Sequence, residues 1–298
     1  MDIFGVDQKI VLTAFYSGLG VGSVYALVAL GYNLVYRATR VFNLAQGDIV
    51  SWGGLIAFSL LVTHGFSAIA ALPVIVVGTA ALGFGVERIA IAPLTRALSF
   101  GWVLTTLGMS VVIRNVAELQ WGPDPLRVPA FIDRVPVNVL GSPFRVDFMV
   151  TIVGAAALVA LLELADRKTI IGKAMVATAL NRELAQLRGI NVGLLGIGSF
   201  VVAGALGGIA GWLIAPITFA SFNSGVLIAL KGFLAIAIGG WGRHVGALVG
   251  GLLIGVTEAL AILWMDVDFR NLVPLPLLAA ILLIRPQGLF GRRVERHV

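Results

Sequence analysis

Cysteine is absent from the 298-residue chain, which excludes disulfides, thiol nucleophiles and cysteine metal sites. Charge is scarce. Asp, Glu, Lys and Arg make up 12% of the residues, about half the ~25% of a soluble domain. Histidine occurs only at His64, His244 and His297, with no two at metal-ligand spacing. There is no G-x-x-x-x-G-K-[ST] phosphate loop, because Gly172-Lys173 is followed by Ala174 and lacks the upstream Gly. There is also no H-E-x-x-H and no G-x-S-x-G. These gaps leave no nucleotide site and no catalytic constellation, and no cofactor or metal is expected.

What is present is apolar. Hydrophobic residues make up 59% of the chain, and its mean hydropathy is +1.00. A soluble fold of this length has no core large enough to hide them, whereas a bilayer accepts apolar runs of about 20 residues. Such runs fall at 10–36, 41–63, 66–91, 100–116, 146–164, 192–217, 226–241, 245–265 and 272–284. Backbone groups in hydrocarbon must bond internally, and the period-two alternation of a membrane barrel is missing, so the runs are helices. The expected fold is an all-α polytopic membrane bundle of about eight to ten transmembrane or re-entrant helices. It forms a single domain over residues 1–298. The run at 226–241 is short and carries Lys231, so a full crossing and a re-entrant half-helix both remain open.

The net charge of +6 resides in short loops between the runs. Loops enriched in Lys and Arg on the cytoplasmic side account for it, and no nucleic-acid partner is expected. Arg37, Arg40, Arg88, Arg96, Arg167, Lys168, Lys173, Arg182, Arg188, Arg285, Arg292, Arg293 and Arg296 are assigned to that side. Asp124, Asp133, Arg127 and Arg134 balance one another in the loop 118–145, and the turn near Asp266 and Asp268 is acidic. Both of these belong outside. The N-terminus is then external and the C-terminus internal. Residues 1–9 contain Asp2 and Asp7 and lack a basic n-region, so the first apolar run reads as a retained span. Gly18/Gly22, Gly204/Gly208, Gly207/Gly211, Gly246/Gly250 and Gly251/Gly255 are spaced by four, the signature of close helix packing in lipid.

Polar groups at membrane depth are costly and point to function. Asn43, Gln46, Gly47 and Asp48 form the first such group. Gly47 is expected to weaken or break a helix there, exposing backbone that lines a polar path. The alternative is the wet start of the second span. Thr105, Thr106 and Ser110 form a second group, with Asn115 beyond. Their hydroxyls can also bond to their own helix. Glu258 is a lone carboxylate that must be paired, protonated or wet, and Lys231 is a conceivable partner. The stretch 175–188 reads as one short amphipathic helix, with Val176, Leu180, Leu184 and Leu187 on one face and Gly189 as its stop. Such a helix suits a partner's groove or the membrane surface.

Blocks along nearly the whole chain resemble one family. These are GLGVGSVYALVALGYNLVY at 18–36, VFNLAQGD at 41–48, ERIAIAPLTR at 87–96 and VLTTLGMS at 103–110. The stretch 172–191, ending in Gly-Ile-Asn, KGFLAIAIGGWGRHVGALVGG followed by GVTE within 231–258, and RPQGLFG at 285–291 continue the series. In this order they are similar to the permease subunits of branched-chain amino acid ABC importers of the LivH type. Leu44, Gln46 and Ala92 stand where that family often has Phe, His and Arg. The resemblance implies a permease in a bacterial or archaeal cytoplasmic membrane. It would pair with a second, related permease subunit, two cytoplasmic ATPase subunits and an external solute-binding protein. The polar groups at membrane depth, Asn43, Gln46, Gly47, Asp48, Thr105, Thr106, Ser110 and Glu258, are the candidates for the translocation path, with Glu258 expected in a structural or gating role rather than in substrate contact. The resemblance further implies a cytoplasmic coupling stretch at 167–191, with Asn181, Arg182, Glu183, Arg188 and Gly189 facing the ATPase. The competing expectation is a stand-alone ion-coupled transporter or channel in which Asp48 and Glu258 couple the ion.

Overall fold

The computed structural model describes residues 2–3, 6–94, 100–131 and 136–291. Thr95, Arg96, Asp133, Arg134, Arg292, Arg293, Arg296 and His297 lie outside the described residues, as do the side chains of Asp2 and Asp268.

The first apolar run becomes helix α1, Gln8–Thr39, capped by the Asp7 side chain. Its 32 residues span about 48 Å at 1.5 Å per residue. Every residue from Gly22 to Val35 is buried, because α5, α8, α9 and α10 pack around it. The other helices follow in order: α2 Gln46–Phe58, α3 Ala68–Val86, α4 Gly101–Trp121, α5 Val146–Lys168 and α6 Ile170–Leu180. They continue with α7 Arg182–Leu187, α8 Val192–Thr218, α9 Ser224–Gly239, α10 His244–Ala261 and α11 Pro274–Ile284. Helices α2 and α3 end in π-helical turns, Ser59–Thr63 and Glu87–Ile91.

Six of these helices are long and apolar enough to cross a membrane, with α6, α9 and α11 shorter. On the outer faces of α3, α4 and α5, Ile69, Val77, Leu104, Val111, Leu119 and Val153 are exposed. Helices that bury one face and still present large apolar side chains on the other need an apolar solvent. The chain is a multi-pass membrane bundle.

The glycine pairs all serve packing within the chain. Gly18 and Gly22 of α1 meet Gly251 and Gly255 of α10, where added Cβ atoms would come within 3 Å of backbone. The Gly204/Gly208 face of α8 meets Thr79 and Gly83 of α3, and the Gly207/Gly211 face meets Ile49 and Val50 of α2. Gly246 and Gly250 of α10 lie on α9.

Two links dive into the bundle. The chain leaves α1 at Arg40 in a left-handed turn (φ 64) and returns through 41–45. Helix α2 then starts with Gln46 against Gly31 of α1 and Ala203 of α8, in the interior. The break therefore precedes Gln46, and Gly47 lies inside the first helical turn rather than interrupting a helix. At the other end, 219–223 returns from α8, held by the Leu126–Ala220 bridge. Helix α9 starts against α2, with Gly225 N–H donating to Ser51 Oγ at 2.8 Å. Run 226–241 thus forms the short helix α9, entered through this non-helical link.

One end of the bundle gathers Arg37, Arg40, Arg167, Lys168, Lys173 and Arg182 and is called the basic end here. The opposite end carries the strand pair Val137–Val139 and Ser142–Phe144. Tyr16 stacks on Phe144 there, with ring centroids 4.6 Å apart.

Candidate functional site

The predicted polar residues fall into separate clusters. Around the start of α2, Asn43 folds back, its Oδ1 accepting from Ala45 N–H at 3.1 Å. Gln46 Nε2 donates to Ala203 O at 2.8 Å. Gly47 presses on Gly225 so closely that a Cβ there would lie 2.7 Å from the Gly225 oxygen. Asp48 accepts from Arg114 Nε at 2.9 Å and from the Ser110 hydroxyl, tying α2 to α4. Asn43, Gln46 and Asp48 are all buried. Ser110 thus joins this cluster. Thr105 and Thr106 do not, since they donate to Gly101 O and Trp102 O of their own helix at 3.2 and 2.7 Å.

Glu258 belongs elsewhere. It is fully buried on α10, with Lys231 Nζ of α9 at 2.9 Å and the Tyr25 hydroxyl of α1 donating at 3.1 Å. Arg270, in the 3-10 turn Val267–Leu272, brings Nε to 3.7 Å. Lys231 does not snorkel to a surface; its ammonium also donates to the Tyr25 hydroxyl at 3.3 Å. Two cations thus share one carboxylate. Above this cluster, a cavity of about 870 Å³ runs from Lys9 in the first turn of α1 down to Tyr25 and Lys231. At its Lys9 end it lies beside the strand pair, where Ser142 Oγ donates to Lys9 O at 3.1 Å.

A third cluster lies at the basic end. Arg37 Nη1 of α1 lies 2.7 Å from Asp166 Oδ2 of α5 and 2.6 Å from His244 Nε2 of α10. His244 Nδ1 lies 3.3 Å from Asn33 Nδ2, and Asn33 Oδ1 accepts from Gly242 N–H at 2.8 Å. Arg37 and His244 are buried, so the cluster clamps α1, α5 and α10 together.

Sequence reasoning passed over Arg114, Tyr25, Arg270, Asn33, Asp166 and His244, and treated Arg37 only as a loop charge. Arg114 had a legible signal, being a cation one helical turn after Ser110 within an apolar run. Tyr25, Asn33, Asp166 and His244 had none, because their partners lie 78 or more residues away, and Arg270 reaches Glu258 only once the 3-10 turn has formed.

The coupling stretch is not one helix. Asn181 adopts an extended conformation (φ −150, ψ 110) between α6 and α7, and its side chain caps α7 by accepting from Leu184 N–H at 3.0 Å. An Asn favours this capping role over continued helix, which splits the expected 175–188 helix in two. Gly189 is the stop, in the left-handed region (φ 81). Arg182 Nη1 donates to Ala38 O at 3.0 Å, and Arg40 donates to Ala179 O, so both halves are tied to the end of α1. Glu183 and Arg188 are exposed. So are Leu180, Leu184 and Leu187, the last by 82%.

Comparison with known proteins follows the same layout. The chain is 29% identical over 297 residues to the high-affinity branched-chain amino acid transport system permease protein LivH of Escherichia coli K12, covering 94% of this chain and 96% of the relative. It is 30% identical over 298 residues to the permease protein BraD of Pseudomonas aeruginosa, with the same coverage. It is also 30% identical to a probable LivH of Methanocaldococcus jannaschii, covering 90% and 89%. Residues 14–283 match the family model described as branched-chain amino acid transport system, permease component. The chain belongs to this family of ABC transport permeases.

Proposed function

We propose that the chain is one of two permease subunits of an ATP-driven importer for branched-chain amino acids or related small polar solutes in the cytoplasmic membrane. The basic end faces the cytoplasm, since short loops rich in Lys and Arg are retained there, with the N-terminus outside and the C-terminus inside. The whole of 1–298 acts as one permease domain. A solute-binding protein delivers the solute at the strand-pair end. Two ATPase subunits act at the other, where 167–191 couples them. The second permease subunit completes the path, with Asn43, Gln46, Gly47, Asp48, Thr105, Thr106, Ser110 and Glu258 as candidates along it.

The observation that carries this reading is the α6–α7 pair. It presents Leu180, Leu184 and Leu187 without a partner among the described residues, while Arg182 and Arg40 fix its position on α1. An apolar helical face held at a fixed angle by backbone bonds suits a protein groove. The ion pairs of Asp48 and Glu258 weigh against the stand-alone ion-coupled reading, which needs a carboxylate free to bind the ion.

The test is Leu184→Glu combined with Leu187→Glu. Both positions are surface sites, so thermal stability of the chain in detergent should change by no more than about 0.5 kcal/mol. Co-purification with the ATPases and ATP-driven uptake should be lost. Undiminished uptake by this variant would remove the coupling assignment. Uptake by the lone chain, driven by a proton or sodium gradient, would remove the importer reading altogether.

A further inference from the structure

We infer that the cavity above Tyr25 and Lys231 is a binding site on the permease itself for a small solute that carries a carboxylate and an apolar side chain. This rests on the importer reading and adds the residues that recognise the solute.

The walls are mostly apolar, with Phe148, Ile214, Leu227 and Ile228 among them, and the volume of about 870 Å³ lies in the ~300–1,000 Å³ range of small-molecule sites. The floor is cationic. Lys231 and Arg270 both line it, and the one carboxylate they share, Glu258, is fully buried behind them. No Asp or Glu is among the described lining residues. Among the described residues the floor therefore holds two cationic side chains against one carboxylate. Arg270 Nε is buried and has no hydrogen-bond partner among the described residues. A buried donor of this kind carries a desolvation cost until an acceptor arrives, and a carboxylate supplies one with matching charge.

The rim offers the complement. Helix α8 ends beside the cavity at Thr218, and Phe219 donates no backbone bond to cap it. The last carbonyls of a helix carry partial negative charge. An ammonium group fits there while the carboxylate reaches the floor. The site thus reads both charges of an aliphatic α-amino acid and leaves its side chain on the apolar wall.

The absence of cysteine from the chain makes a direct test available. The assembled transporter, carrying Leu227→Cys and in parallel Ile217→Cys, is placed in lipid nanodiscs and labelled with a maleimide, read on this chain alone. At about ten times its dissociation constant, L-leucine should slow labelling roughly tenfold, and L-leucinamide, which lacks the carboxylate, should leave it unchanged. Adding Arg270→Gln should abolish the protection, and Arg270→Lys should retain part of it. Equal protection by the amide would overturn carboxylate recognition at the floor. No protection at either cysteine, in a transporter that still imports leucine with ATP, would overturn the site and leave the importer reading intact. Failure of the native transporter to import any aliphatic amino acid would overturn both.

Discussion

The two ends of the α1–α10 contact carry clusters built from similar parts and left in different states. At the basic end Arg37 faces Asp166, one charge against one, with His244 and Asn33 completing the bonds. In the other half Lys231 and Arg270 share Glu258 as their one carboxylate among the described residues, and a cavity lies directly above. The first cluster is balanced and closes the bundle. The second is unbalanced and borders open space. Buried charge is costly unless it is paired, so the imbalance is tolerable only beside a route for water or a ligand.

Breaking each cluster at its carboxylate measures the difference. The largest effect is expected for Glu258→Gln, which leaves the buried Lys231 ammonium and Arg270 without a counter-charge. Thermal unfolding in detergent should register a loss of about 3–5 kcal/mol. An unchanged melting temperature would mean that water already screens the cluster. Asp166→Asn should cost less, roughly 2–3 kcal/mol, because Asp166 is 17% exposed and its neighbours keep hydrogen bonds through the amide. Adding Arg37→Met should recover part of that loss, since the orphaned cation is then gone. A double-mutant cycle reads the coupling. The smallest effect is expected for Arg167→Ala. Its pair with Glu163 on α5 leaves the Arg 74% exposed, and loss of such a pair costs no more than about 0.5 kcal/mol. A larger value would show that the α5 surface is covered by a partner.

The difference between the clusters was only partly legible in the sequence. Glu258 was recognisable as a carboxylate requiring a partner, and Lys231 was a conceivable one, because both stand out in apolar runs. Arg270 was not recognisable, since it reads as a loop charge until the 3-10 turn folds it over the end of α10. Arg37 also read as a loop charge at a span end, and Asp166 was passed over. Their burial follows from α1 and α5 packing side by side, which hydropathy does not encode. Asn181 shows the same limit on a smaller scale. The apolar residues of 175–188 read as one face of a single helix, but the capping habit of Asn ended one helix and started another within it.

Composition alone determined that this chain lives in lipid, because so many apolar runs with so few charges have no other solvent. Order and spacing along the chain determined its helices, its basic end and its family. The tertiary structure alone decided which polar groups meet. It brought Gln46 to Ala203, Asp48 to Arg114, and Lys231 with Arg270 to Glu258, across 27 to 157 residues of chain for the hydrogen-bonded pairs. Contacts between distant segments depend on helix angles and on where the chain re-enters the bundle. Those are set by glycine faces fitting against one another, a property of pairs of surfaces that no single segment carries.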